Sequence, residues 1–226
     1  MTDKTVAMQA SDLFAAHANF KEQSSSDDDL QDYSQVADAN GDVGGGCEDD
    51  GSNKRNEYSN QFGYCGTDIV SDAGTLLTTF GEVADSKVIT QIVISFTQTE
   101  QPTLAITGHN HDNNPHAAQE NFDVSSIIPG STGGIGVPAI FADGGSDSTP
   151  ISATLTIALE HVDANDADNE HWVGNNRNCR VDAVIEYTGV PTLTTTGWKV
   201  DSEVSGDSNS EFDTFAITAH KYFTRN

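Results

Sequence analysis

Basic residues are scarce in this 226-residue sequence, which holds 10 Lys and Arg against 35 Asp and Glu and carries a formal net charge of −25 at pH 7. A surface with so few cations offers no basic patch from which a phosphate backbone could release counterions, and it repels anionic membranes. The composition therefore argues against nucleic-acid partners and membrane partners. It is typical of a soluble protein in a salty medium, where screening shortens the reach of self-repulsion.

Long hydrophobic runs are also lacking. The first twenty residues, "MTDKTVAMQASDLFAAHANF", contain neither a cationic start nor the apolar core of a secretory signal. No run approaches the length of a transmembrane helix. We therefore expect synthesis in a cytoplasm without a signal peptide, and release, where it occurs, by a route such as lysis.

Cysteine is represented only by Cys47, Cys65 and Cys179. Their wide spacing contains no C-x-x-C pair and no zinc pattern. Cys179 falls on the inward side of a predicted strand, which indicates a buried free thiol. Cys47 and Cys65 lie in glycine-rich sequence and could pair in an oxidising medium, and their spacing leaves that question open.

Catalytic motifs are missing as well. The sequence has no G-x-S-x-G, no Walker A motif, no G-x-G-x-x-G after a strand and no H-E-x-x-H. The glycine-rich "GSTGGIG" is followed by neither a lysine nor a helical pattern, which argues against a phosphate-binding loop. A glycosidase pair of carboxylates cannot be selected among 35 acidic residues. We predict a protein that is not an enzyme and has no cofactor.

Strand patterns, by contrast, are abundant after residue 67. Residues 86–98, "SKVITQIVISFTQ", are β-branched on both faces and predict a central strand. Clean alternation predicts further strands in "PISATLTIALEHV", "CRVDAVIEYTG" and "EFDTFAITAHKYF". Shorter strands are predicted at 75–80, 102–108, 136–141 and 193–200. Because turn-rich sequence joins them without βαβ alternation, residues 67–226 are predicted to form an all-β, antiparallel β-sandwich of jelly-roll type.

The N-terminal part of the chain has a different composition. Residues 5–20 carry an imperfect helical stripe and predict the one helix of any length. Residues 21–66 are strongly polar, with occasional aromatic anchors such as Tyr58 and Phe62. We predict that residues 1–66, called the N-terminal arm, form a helix and an extended segment that becomes ordered against a neighbour.

The stretch "DANGDVGGGCEDDG", residues 38–51, begins like a calcium loop. An EF-hand needs oxygen donors at positions 1, 3 and 5, glycine at 6 and glutamate at 12. Asp38, Asn40 and Asp42 fill the first three positions, but Val43 replaces the glycine and Asp49 replaces the glutamate. The pattern argues against a true EF-hand and favours two alternatives, an irregular calcium site or the more common solvated turn.

Two other segments resemble metal sites in composition. Residues 161–172, "HVDANDADNEHW", form a second acidic loop between strands. His109, His111 and His116 lie in "GHNHDNNPHAA", where three imidazoles could hold zinc or nickel. For both segments, solvated loop residues are the favoured interpretation. Trp172 and Trp198 could form a platform for a sugar, although packing is the simpler account.

A polar arm at 1–66, Gly/Thr/Ser-rich strands from residue 67 and the aromatic-ended final strand "FDTFAITAHKYF" together give a recognisable overall style. In that style the sequence resembles virion surface proteins of tailed bacteriophages, such as capsid decoration, head-fibre or tail-associated subunits. The resemblance implies a non-enzymatic structural subunit that forms symmetric homo-oligomers on a virion and contacts other virion proteins. The alternative is a calcium-supported β-sandwich module that recognises carbohydrate.

Overall fold

The computed structural model describes residues 9–30, 33–37, 43–48, 55–84, 87–111, 121–127, 140–144, 148–165, 171–206 and 213–223. Within these residues the helices are α1 (Ala10–Leu13) and α2 (Ile69–Thr78), with 3-10 turns at His17–Asn19 and Ser125–Ile127. No helix in this part of the chain is long and apolar enough to cross a membrane.

Strands make up most of the described structure. In chain order they are β1 (Phe20–Leu30), β2 (Tyr33–Ala37), β3 (Val43–Glu48), β4 (Arg55–Tyr64), β5 (Glu82–Ala84), β6 (Lys87–Thr97), β7 (Thr103–His111), β8 (Ala142–Asp143), β9 (Thr149–Asn165), β10 (His171–Thr188), β11 (Leu193–Thr194), β12 (Lys199–Gly206) and β13 (Thr214–Tyr222).

One large antiparallel sheet dominates the molecule. Its eight-strand path runs β1-β4-β7-β6-β9-β10-β13-β12, and β5 pairs with β6 off this path. Two small sheets, β8–β11 and β2–β3, lie outside it. The prediction of a mostly β, antiparallel protein is confirmed at this level.

The sheet buries one face because its strands alternate in character. In β9, Ala153, Leu155 and Ile157 are almost fully buried, whereas Thr154 and Thr156 between them are partly exposed. Because side chains alternate across a strand, this pattern places the buried aliphatic residues of β9 on one side of the sheet. Segments outside the sheet cover that side, with buried residues from α1, α2 and the loops: Leu13, Phe14, Leu76, Leu77, Phe122 and Phe141.

The strand predicted at 75–80 is wrong, because residues up to Thr78 belong to α2. Asp68 caps this helix, since its Oδ1 accepts hydrogen bonds from the backbone N–H groups of Val70 (3.1 Å) and Ser71 (3.2 Å). The buried residues of the helix recur at intervals of three and four, as a helical stripe requires: Ile69, Ala73, Leu76 and Leu77.

The helix predicted over 5–20 is reduced to α1 and one 3-10 turn, and residues 1–8 lie outside the described part. Its hydrophobic residues pack in another way: the rings of Phe14 and Phe20 stack with centroids 3.8 Å apart, and Phe20 already belongs to β1. The predicted strands at 86–98 and 102–108 are confirmed as β6 and β7.

Two other short strand predictions have mixed outcomes. The strand at 136–141 is not seen at Ile140 and Phe141, and 136–139 are outside the described residues. The segment 193–200 divides into β11 and the start of β12, because the chain turns at Gly197, whose φ of 82° suits glycine.

Both sides of the boundary predicted at residue 67 contribute to one sheet. β1 pairs with β4, and β4 pairs with β7, so two parts of the N-terminal arm extend the sheet. The aromatic residues of these strands are buried in the common core: Phe20, Tyr58, Phe62 and Tyr64. A role for residues 1–66 in contacting a neighbour stays a prediction.

The buried thiol predicted at Cys179 is confirmed. Cys179 is a free, fully buried cysteine, and burial raises the pKa of its thiol to about 12. Cys65 is free and exposed, and its Sγ lies 3.3 Å from the carbonyl oxygen of Asn19. The side chain of Cys47 lies outside the described residues.

We expect iodoacetamide at pH 8 to label Cys65 in the native protein and to leave Cys179 unlabelled. The reacting species is the thiolate, and a buried thiol with a raised pKa supplies neither thiolate nor access. Peptide mass spectrometry before and after unfolding in guanidinium measures this difference. Equal labelling of Cys65 and Cys179 in the native protein would contradict the placement of Cys179 in the core.

Candidate binding site

The residues of the predicted calcium loop, Asp38, Asn40, Asp42 and Asp49, lie outside the described residues. The tip of the second acidic loop, 166–170, is outside them as well. Both calcium interpretations therefore stay predictions.

The predicted histidine cluster is only partly described, since His116 and the side chain of His111 are not covered. His109 is buried, and its ring lies 4.6 Å from the ring of His161, measured between centroids. Nδ1 of His161 is 2.5 Å from Oδ1 of Asn176. His109 of β7 therefore lies beside the contact between His161 of β9 and Asn176 of β10. No signal in the sequence indicated this, because His161 and Asn176 are 52 and 67 positions away from His109 in the chain.

A surface pocket lies where β10, β13 and β12 run side by side. It has a volume of about 500 Å³ and is lined by Arg180, Gly197, Trp198, Lys199, His220, Lys221 and Tyr222. We call it the β12–β13 pocket. The register places Arg180 opposite Tyr222 and Lys199 opposite His220, so strand pairing brings distant residues together.

A β-bulge shapes one side of this pocket. The β12–β13 register shifts between Val200 and Ser202, which leaves Asp201 as the extra residue. Such a bulge re-aims a side chain, and here Oδ2 of Asp201 lies 2.6 Å from Nδ1 of His220. The hydrogen bond from His220 is the main cause that lowers the pKa of Asp201, with further lowering by the charges of His220, Arg180 and Lys199.

The pocket concentrates positive charge in an acidic protein. Arg180, Lys199 and Lys221 are three of the ten basic residues in the whole chain. Arg180 donates from Nε (3.0 Å) and Nη2 (2.5 Å) to Oδ1 of Asp182. Nζ of Lys221 lies 5.4 Å from the centroid of the Phe223 ring, and Lys221 stands opposite the buried Val181, on the other face of β13 from His220 and Tyr222.

Asp182, Asp201 and His220 could in geometry hold a metal ion, since one ligand atom from each lies within 4.8 Å of the others. Their partners argue against it. The Asp182 carboxylate already pairs with Arg180, and the Asp201 carboxylate already pairs with His220. A divalent cation would have to displace the guanidinium of Arg180 and would lie near Lys199, whose charge repels it.

Aromatic rings form the apolar part of the pocket. Trp198 packs edge-on against the core residue Phe141, with ring centroids 5.4 Å apart. Tyr222 is 60% exposed, and it is held by the ring of His220 (5.5 Å) and the guanidinium of Arg180 (5.9 Å). Trp198, which the sequence analysis considered as a sugar platform, thus lines a pocket, while the side chain of Trp172 lies outside the described residues.

No protein-family model matches the sequence, and no curated protein matches it either. The site must therefore be interpreted from its own geometry. A sequence signal for the pocket existed in "WKV" and "HKY", where lysines stand beside aromatic residues in a chain with few cations. The pairing of those two segments was not readable from the sequence.

Proposed function

We propose that the protein is a non-enzymatic structural subunit of a viral particle, and that its copies associate through the edges of the main sheet. The observation that carries the proposal is the position of β12. This strand ends the eight-strand path, and among the described strands only β13 pairs with it. An edge strand presents unpaired backbone N–H and C=O groups, which can pair with a strand of another chain.

The exposed residues of β12 support a contact at this edge. Val204 is 61% exposed, and it stands beside Ala216 of β13, which in turn stands beside Glu186 of β10. Val184, two residues before Glu186, is 42% exposed on the same face. Val204 gives this edge strand an apolar side chain that a second chain can cover.

The two edges of the sheet differ in charge. The other edge strand, β1, has the sequence "FKEQSSSDDDL" and pairs only with β4 among the described strands. By sequence, β1 carries a net charge of −3 (one Lys, one Glu and three Asp), and β12, "KVDSEVSG", carries −1 (one Lys, one Asp and one Glu). Repulsion is therefore strongest between two β1 edges and weaker between β1 and β12. A contact between unlike surfaces is heterologous and generates a ring where the rotation closes, in keeping with symmetric multimers.

The two-layer sandwich of jelly-roll type is retained as part of this proposal. What supports a second layer is the packing of α2 and the β8–β11 sheet over the buried face of the main sheet. Leu76 of α2 lies in the core, and Leu193 of β11 packs against it. The resemblance in style to tailed-bacteriophage surface proteins supports the virion as the place of assembly.

Variants that block one edge at a time test the proposal. We expect Val204→Lys in β12 and Ser25→Lys in β1 each to reduce the native mass to that of a monomer, because a lysine on an edge opposes strand addition. Mixed in equal amounts, the two variants should form a dimer, since each retains one functional edge. Light scattering after size exclusion measures the mass.

Val190→Lys is the matched control, because Val190 is 62% exposed and lies in the loop after β10, outside both edge strands. It should assemble as the unmodified chain does. Multimers that persist in Val204→Lys, or a mixture that stays monomeric, would overturn the edge-to-edge contact. Circular dichroism of each variant verifies that the fold is unchanged.

A further inference from the structure

We infer that the contact between Asp201 and His220 holds β12 in the register that exposes Val204, and that this register forms the surface which the next copy meets. That surface has a role only in the edge-to-edge assembly proposed above, and in this respect the inference rests on the proposed function. The register of β12 is a property of a single chain, so it can be measured whether or not copies assemble.

The bulge divides β12 into two parts that pair differently with β13. Before the bulge, Val200 stands beside Ala219. After the bulge, Val204 stands beside Ala216. If the register of Val200 continued without a bulge, Val204 would stand beside Phe215 instead. Because side chains alternate along a strand, this shift by one residue would carry Val204 from the open face of the sheet to the face that holds the core.

The apolar residues of β12 favour the register without a bulge. Val200 packs against the core, and an unbroken strand would point Val204 to the same face, because side chains alternate. There Val204 would cover Phe215, a core residue that is 9% exposed. The observed register instead leaves Val204 61% exposed and sets Glu203 beside the buried Ile217. Burial of apolar surface therefore opposes the bulge, and another interaction must hold it.

The polar contacts of Asp201, the extra residue of the bulge, provide that interaction. Nδ1 of His220, a buried residue, donates a hydrogen bond to Oδ2 of Asp201 (2.6 Å). This bond lowers the pKa of Asp201, and the nearby charges of Arg180 and Lys199 lower it further, so the carboxylate is ionised at neutral pH. A hydrogen bond to a charged group and the burial of a valine side chain are comparable in magnitude. Loss of the contact is therefore enough to reverse the choice of register.

Labelling of a thiol at position 204 measures which register β12 adopts. Val204→Cys is made in the Ser25→Lys chain, where the β1 edge is blocked and β1 of a second copy does not cover β12. Peptide mass spectrometry follows the rate of its reaction with iodoacetamide. We expect Asp201→Ala to slow this reaction at least fivefold, because residue 204 then faces the core. Removal of a nearby negative charge, or partial unfolding, would make the thiol react faster instead.

Glu203→Ala is the matched control, since it removes an exposed carboxylate from the same strand and leaves Asp201 and His220 in contact. It should change the labelling rate less than twofold. His220→Phe should slow labelling as much as Asp201→Ala does, and the two substitutions together should slow it no further, because each removes the same interaction. In the unmodified chain, Asp201→Ala should lower the native mass to that of a monomer.

The labelling rate and the native mass separate the inference from the proposed assembly. Unchanged labelling in Asp201→Ala, or equal slowing by Glu203→Ala, would overturn the inference and leave assembly through the edges standing. Slower labelling in Asp201→Ala together with a monomeric unmodified chain would establish the choice of register and contradict edge assembly. A multimer that persists in Asp201→Ala despite slower labelling would overturn the link between the register and the assembly surface.

Discussion

Deletion of residues 1–66 abolishes folding of the rest of the chain. This result is expected because β1 and β4 supply part of the core, including the almost fully buried residues Phe20, Tyr58 and Phe62. Loss of one buried Phe side chain costs about 3–5 kcal/mol, and a domain of this kind has only about 5–15 kcal/mol of stability in total. Removing three such aromatic residues therefore exceeds what the remaining strands can compensate.

A smaller deletion within the same region serves as the control. Leu30 of β1 and Arg55 of β4 stand directly opposite each other, so an Asn-Gly turn can replace residues 31–54 and join the two strands. Among the described strands, β2 and β3 pair only with each other. We therefore expect this shortened chain to fold and to melt at nearly the temperature of the full chain.

Circular dichroism and thermal melting separate the two outcomes. Cooperative melting of the chain that begins at residue 67 would show that its core does not depend on β1 and β4. An unfolded protein after deletion of residues 31–54 would contradict the sheet order. The shortened chain also lacks Asp38, Asn40, Asp42 and Asp49. If calcium raises the melting temperature of the full chain but not of the shortened chain, calcium binds at the predicted loop. If calcium raises both melting temperatures equally, the predicted loop is not a calcium site.

Gly108→Ala lowers the free energy of unfolding by about 3 kcal/mol, the upper part of the usual range for overpacking a core. A Cβ at Gly108 would overlap the backbone carbonyl oxygen of Val88 and would lie 2.6 Å from Oη of Tyr58. That hydroxyl already donates to the same carbonyl oxygen, at 3.2 Å. Because Val88 of β6 is held between β7 on one side and β5 on the other, its backbone cannot move away freely.

Gly144→Ala is the control, since the nearest atom to its added Cβ is the carbonyl oxygen of Thr192 at 3.7 Å, an ordinary contact. We expect it to change stability by less than about 0.5 kcal/mol, as surface substitutions usually do. Urea denaturation of both variants provides the comparison. Equal stability of the Gly108→Ala and Gly144→Ala proteins would show that β6 and β7 do not approach as closely as described.

Strand character was predictable wherever one face of a strand meets the core. The alternation in 150–162 and 179–189 predicted β9 and β10 because burial on one side requires it. α2 was missed because "TLLTTF" is rich in threonine, although Asp68 as a cap and the helical spacing of the buried residues were present in the sequence. The local composition of this segment favoured a strand, but tertiary packing of its buried residues determines that it is a helix.

The two strands of the N-terminal arm show a different reason for failure. β1 is an edge strand whose residues 21–26 are exposed, so its polar sequence "KEQSSSDDD" carries no hydrophobic alternation. β4 does alternate, with Tyr58, Asn60, Phe62 and Tyr64 buried, and this signal was hidden by the polar residues between them. Only pairing with β7 reveals that both strands belong to the main sheet.

The pocket could not be predicted, for a physical reason. Its lining comes from three strands and the turn before β12, between residues 180 and 222. Asp201 reaches His220 only because a bulge shifts the register. Neither the pairing of distant strands nor the position of a bulge follows from local sequence. The residues that the sequence did single out, those of the calcium loop, lie outside the described residues, and their role stays a prediction.

The native mass of the purified full chain tests the central claim, assembly through the sheet edges, most directly. Light scattering at physiological salt should be performed once with calcium and once with a chelator. We expect a multimer of fixed size in both conditions, because backbone pairing between edges requires no metal. A monomer in both conditions would contradict assembly through the sheet edges.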